Sequence, residues 1–123
     1  MKLILIDTNA WMAIALWKID LFEEVEKAAD FPHEIAILQG TQEELKKIQN
    51  EQPGKFRNAA KLALALLKAK KVKIIRGTGS VDNLLVHHSH QGDVVLTQDQ
   101  QLKKRLSRPY FTLRQKKRVV QVR

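Results

Sequence analysis

The sequence predicts an α/β protein of three layers, α/β/α, with a mainly parallel central sheet. Three observations predict it. Short apolar runs of β type alternate along the 123 residues with stretches of helical periodicity, and strands that alternate with helices need crossover connections, which make parallel pairs. The β-type runs are apolar almost throughout, the pattern of strands covered on both faces. The length suits one hydrophobic core and is short for two, so residues 1–123 are expected to form a single domain.

The elements follow in order. The first strand is expected at 2–6 (KLILI), directly before Asp7. Residues 10–17 (AWMAIALW) carry no polar side chain, which places this helix in the core or at an oligomer interface, a homodimer being the simplest case. Helical periodicity returns at about 20–29, followed by a strand at 35–38 (IAIL) and helices at 41–51 and 56–70. Within the latter, 59–69 shows a wide apolar arc with lysines opposite, the pattern of a helix packed on a core. Strands at 72–75 (VKII) and 93–96 (DVVL) flank a helix at 80–90. A helix at 99–106, a strand at 110–113 (YFTL) and an edge strand at 118–122 (RVVQV) complete the chain.

Composition narrows the chemistry. There is no cysteine, which excludes disulfides, zinc fingers and thiol catalysis and suits a cytoplasmic protein. No apolar run reaches the ~20 residues needed to cross a bilayer, so no membrane partner is expected. Net charge is +9, and its distribution says more than its size: residues 1–99 hold 13 basic and 13 acidic side chains. Residues 100–123 hold no acid and nine basic residues, among them Arg114, Lys116, Lys117 and Arg118. A second acid-free block, from Lys55 to Arg76, carries eight. Such blocks suit a polyanionic partner, which makes Arg114, Lys116, Lys117 and Arg118, in the basic segment at about 114–123, candidate nucleic-acid contacts.

In an open parallel sheet, ligands bind beyond the carboxyl ends of the strands. Four acids fall there. Asp7 follows the first strand, Glu44 lies in the first turn of the helix after the second, Asp82 in the first turn after the third, and Asp99 just after the fourth. Asp93 precedes its strand and belongs to the opposite end. Three of the four also have an ordinary capping role. Thr41 and Glu44 fit a capping box, in which Glu44 reaches back to Thr41; Ser80 is an N-cap with Asp82 complementing the helix dipole; Asp99 is itself a good N-cap. Asp7 has no such role, and its position at the end of an apolar strand would be costly without a partner. Clustered carboxylates repel one another unless a cation offsets them. Mg²⁺ or Mn²⁺ takes oxygen ligands, and a cation beside basic surfaces suits hydrolysis of a phosphodiester.

These motifs resemble the PIN-domain nucleases over nearly the whole chain. Asp7-Thr8-Asn9 is similar to their opening motif, Glu44-Leu45 to the second, Val81-Asp82-Asn83-Leu84-Leu85 to the third, and Val94 through Asp99, with Thr97 before the acid, to the fourth. The resemblance implies that Asp7, Glu44, Asp82 and Asp99 are catalytic and bind Mg or Mn. Thr8, Asn9 and Thr97 would be hydrogen-bonding supports, and the substrate would be single-stranded RNA. The tail Leu113–Arg118 looks most like archaeal members related to rRNA-processing nucleases. The alternatives are a toxin-type ribonuclease with an antitoxin partner and a non-catalytic RNA-binding module of ribosome assembly. One departure stands out: many members carry Asp-Asp in the third motif, where this chain has Val81 before Asp82 and Asn83 after it.

Other constellations carry less. His87, His88 and His90 do not share the helix face of Asp82 at about 100° per residue, so a solvent-facing or partner-contacting cluster is expected. Gly77-Thr78-Gly79 lacks the spacing of a phosphate loop. There is no Gly-x-Ser-x-Gly and no receiver-type acid pair.

Overall fold

The computed structural model describes residues 1–123. Six strands and six helices follow one another as β1 (Lys2–Ile6), α1 (Thr8–Trp17), α2 (Leu21–Ala28), β2 (His33–Leu38), α3 (Gln39–Glu51) and α4 (Gly54–Ala69). Then come β3 (Lys73–Ile75), α5 (Val81–His90), β4 (Val94–Leu96), α6 (Gln100–Arg105), β5 (Tyr110–Arg114) and β6 (Arg118–Val122). The strands form one sheet in the order β3-β2-β1-β4-β5-β6. β1 to β5 run parallel and only β6 is antiparallel. After β1 the chain builds outwards to β2 and β3, then crosses to β4 on the other side. That reversal opens a crevice at the carboxyl ends of β1 and β4.

The two-residue period of the strands makes the three layers. Ile4 and Ile6 of β1, Ile37 of β2, and Val94 and Leu96 of β4 face the larger cluster, where Trp11, Ile14, Val25, Leu45 and Ala63 come from α1 to α4. Leu5, Ala36, Leu38 and Val95 alternate to the other face and meet Leu85 of α5 and Leu102 of α6. Leu5 is fully buried, so Leu5→Ala removes contacts on a face with few helices and costs about 2–5 kcal/mol. α1 packs on α4, and most of the side chains that the two helices bury are small: Ala10, Ala13 and Ala15 of α1, and Ala59, Ala60 and Ala63 of α4. Small residues let the two axes come close.

The structure differs from the sequence reading at three places. β3 was expected to be buried on both sides; it is an edge strand, with Ile74 45% exposed. The helix expected to start near Thr41 starts at Gln39 instead, so Thr41 is interior and buried with its hydroxyl unpartnered. The Thr41–Glu44 capping box therefore does not form. A helix continuing straight from β2 without a side-chain cap leaves Thr41 no orphan amide to bind. The histidines are only partly solvent-facing: His88 Nδ1 lies 3.0 Å from Asp93 Oδ2, and His90 Nε2 lies 3.0 Å from Arg105 O.

A candidate acidic active site at the carboxyl rim

Asp7, Glu44, Asp82 and Asp99 line one cavity of about 640 Å³, together with Thr8 and Asn9. Each acid arrives by the end of a strand, but each is held differently. Asp7 is the buried one, 6% exposed, and against the sequence reading it too has a capping role, as the N-cap of α1. Its Oδ1 accepts from Thr8 N at 2.8 Å and its Oδ2 from the Thr97 hydroxyl at 2.9 Å. That hydroxyl in turn accepts from Asp99 N at 3.1 Å. One threonine thus ties the acid after β1 to the acid after β4. Asp99 Oδ1 accepts from Gln101 N and Leu102 N, as the N-cap of α6. The capping role is real here and does not remove Asp99 from the cavity.

Glu44, with its neighbour Glu43 outside the cavity lining, accepts at Oε2 from the Thr8 hydroxyl at 3.1 Å. Asp82 is exposed in the first turn of α5, where Ser80 caps the helix through Asn83 N. Asn9 Oδ1 accepts from Gln98 N at 3.1 Å, so the three supports named from sequence all make bonds within the rim.

Electrostatics agree with the geometry. Burial pushes the Asp7 carboxyl above its ordinary 3.8, hydrogen bonds from Thr97 and Thr8 pull it down, and the charges of Asp82 and Glu44 push it up again. A carboxylate with two like charges nearby is a place where a cation would be favoured. The four acids do not close into a cage: no three acidic or histidine side chains are grouped tightly enough to hold an ion by themselves. An oxygen-only donor set of this openness suits Mg²⁺ or Mn²⁺, because Mg²⁺ usually binds through one or two carboxylates with water and substrate phosphate completing the shell.

The departure in the third motif has a packing reason. A Cβ on Gly40 would come within 2.7 Å of Val81 Cγ2, so the starts of α3 and α5 touch at this glycine. Val81 packs against the smaller core, and Asn83 Oδ1 accepts from Arg105 Nη2 at 2.6 Å, tying α5 to α6. Both residues serve the frame that carries Asp82.

Two features, the role of Gln98 and an apolar wall, were not read from the sequence, and the place of the basic tip came only with the fold. Gln98 clamps β5 to the rim: its Oε1 accepts from the Thr112 hydroxyl and Leu113 N, both at 2.7 Å. An apolar wall of Met12, Leu16, Trp17, Ile48 and Phe56 completes the cavity. The spacing of Met12 and Leu16 at i, i+4 was visible, but an all-apolar helix does not show which face it leaves open. The basic tip at Arg114, Lys116, Lys117 and Arg118 is exposed and forms the β5–β6 turn, with Gln115 and Lys116 at φ 58° and 55°. Because β5 runs parallel to β1 and β4, this tip stands at the same rim as the acids, and Lys116 Nζ lies 5.7 Å from the centre of the Trp17 ring.

The sequence model of the PIN like domain matches residues 4–116. Ribonuclease VapC4 of Methanocaldococcus jannaschii is 30% identical over 117 residues, covering 90% of this chain and 89% of that protein. Among solved structures, the PIN domain endonuclease Utp24 is similar with a TM-score of 0.76 at 23% identity, over 98% of this chain and 91% of that chain. At that identity the likeness bears on the fold.

Proposed function

This chain belongs to the PIN-like domain family, and from that premise we propose that it is a metal-dependent ribonuclease hydrolysing RNA phosphodiester bonds, in endonuclease mode. The observation that carries the reading is the convergence of four acids, from four strand-to-helix junctions, on one cavity around the buried Asp7. The relative with 30% identity is itself named a ribonuclease.

In this reading Asp7, Glu44, Asp82 and Asp99 hold Mg²⁺ or Mn²⁺, which when bound supplies an activated water and offsets charge on the phosphate. The protein's own contribution is orientation. Thr97 and Thr8 N fix the two oxygens of Asp7, and the Thr8 hydroxyl turns Glu44 towards the cavity. The amides of α6 hold Asp99 by one oxygen. Groups already in place need no reorganisation when substrate arrives. Arg114, Lys116, Lys117 and Arg118 contact the RNA backbone from the rim.

Purified protein with Mn²⁺ should cleave an unstructured RNA internally, and EDTA should stop it. No cleavage under any divalent cation would favour the second reading, a non-catalytic RNA-binding module of ribosome assembly. The observation on that side is Val81, whose position is given to packing on Gly40 instead of to a further acid. Within the ribonuclease reading, the resemblance of the tail to archaeal relatives puts rRNA processing first. A toxin-type enzyme restrained by an antitoxin is the rival, and growth arrest on expression alone would favour it.

A further inference from the structure

Beyond the acids, the cavity continues as a trough between α1 and the α3–α4 corner. Met12 and Leu16 stand one turn apart on α1, and Glu44 and Ile48 stand one turn apart on α3 with Gln52 following as its C-cap, so each helix presents a single stripe to the trough. At about 1.5 Å rise per residue, Trp17 lies roughly 15 Å from Asp7 along α1, and Gln52 roughly 12 Å from Glu44 along α3. Phe56 follows directly after the corner, where Gly54 takes φ 62° and Arg57 Nε donates to Gln52 O at 3.2 Å. Trp17 and Phe56 thus line the far end of the trough from its two walls. Phe56 is 43% exposed and Leu16 37%, among the few large apolar side chains that folding leaves open.

Each aromatic carries an ammonium. Lys116 Nζ lies 5.7 Å from the ring centre of Trp17, and Lys55 Nζ lies 5.4 Å from that of Phe56. These lysines come from the two acid-free blocks of the sequence, and the fold sets each beside an aromatic of the same cavity.

We propose that this trough is a subsite for unpaired RNA, in which bases beside the cleaved phosphate stack on Trp17 and Phe56 while Lys116 and Lys55 meet the backbone phosphates. The inference rests on the ribonuclease reading for its substrate class. Stacking faces paired with cations are the features by which proteins hold single strands with little sequence preference. A duplex keeps its bases stacked inside, so only unpaired bases reach such a wall. Charge argues against a second copy as occupant: the chain carries +9, and a partner would have to approach beside Arg114, Lys116, Lys117 and Arg118.

The test reads binding without turnover. With wild-type protein in EDTA, anisotropy of a labelled, unstructured oligoribonucleotide should show Trp17→Ala and Phe56→Ala each weakening affinity by about ten- to hundredfold, the range of one base–aromatic stack. Trp17→Phe should keep most of the affinity. Duplex RNA should feel neither change, and removing the stacked base from the strand should cost the wild type but not the alanine variant. Circular dichroism melts establish that each variant is folded, and Phe56→Ala, at an exposed position, carries the test if Trp17→Ala is not. Unchanged affinity in both variants, or an equal loss on duplex, overturns the proposal. So does a dimer that turns to monomer in sedimentation while RNA affinity stays the same, which would assign the trough to a second copy. Trp17-dependent binding without any cleavage would sink the ribonuclease reading and leave the subsite standing; cleavage and binding indifferent to both substitutions would do the reverse.

Discussion

Asp7 and Asp93 sit at opposite ends of the same parallel strand pair. Asp7 follows β1 and its amide bonds to Leu96 O at 3.0 Å; Asp93 precedes β4 beside the start of β1. At the Asp93 end, donors converge on the carboxylate: Leu3 N at 2.9 Å on Oδ1 and the His88 ring at 3.0 Å on Oδ2. At the Asp7 end the donors are one amide and one hydroxyl, and the nearby charges are Asp82 and Glu44. The same residue type accepts two bonds at either end, but at one end it faces a histidine and at the other it is set among like charges. A carboxylate that flanks a strand for structural reasons looks like Asp93. One held where its charge is penalised looks like Asp7, and such penalties gather at functional sites.

The largest expected effect separates the two directly. Asp7→Asn should lower RNA cleavage by about hundredfold or more, since metal-site chemistry is worth several kcal/mol. Asp93→Asn should leave the rate per folded molecule unchanged. Equal losses in both would mean that the two ends do not differ in function. Stability sharpens the contrast. Wild type in Mn²⁺ at about 100 times its dissociation constant should gain roughly 2.7 kcal/mol over the EDTA sample, read from thermal melts. Asp93→Asn should gain as much, although it starts about 1–3 kcal/mol lower because its amide can accept from only one of the two donors. Asp7→Asn should gain much less.

A third expectation concerns pH without metal. Burial raises the Asp7 carboxyl above 3.8 in the fold, so across the window from 3.8 up to the raised value the folded state holds a proton that the unfolded chain has released. Asp7 therefore costs stability as pH rises through that window, opposite to the usual aspartate, because stability falls wherever the folded state binds more protons. Denaturant titrations should show this falling contribution in wild type and its absence in Asp7→Asn; a wild-type contribution that rises over the same window would contradict it. On the RNA side, replacing Arg114, Lys116, Lys117 and Arg118 with Gln should make the salt dependence of single-strand binding shallower by about 0.7 per lost phosphate contact. Lys73→Gln, at the amino end of β3, should not change the slope. The smallest effect tests α3. Thr41 has a buried, unpartnered hydroxyl, so Thr41→Val should be neutral or stabilising, where a capping-box threonine would cost about 0.5–2 kcal/mol.

The order of strands and helices, the parallel sheet and the rim position of the four acids are legible in the sequence, because each follows from local pattern. An apolar five-residue run is a strand wherever it pairs, and the polarity of a parallel strand assigns Asp7 to one end and Asp93 to the other. What was not legible depends on contacts distant in sequence. Glu44 has the ingredients of a local cap, but its partner is Thr8, 36 residues away. Val81 looked like a missing acid until Gly40 came to lie against it.

The sequence by itself determined which residues could carry chemistry and on which side of the sheet they stand, since periodicity and chain direction are properties of short segments. Only the tertiary structure decided how they act together. It buried Asp7 among other acids, made Thr97 the link between Asp7 and Asp99, and carried Lys55 and Lys116 from two separate basic blocks to the aromatics of one cavity. Side-chain environment is set by packing between segments far apart in the chain, and no local pattern encodes which segments those will be.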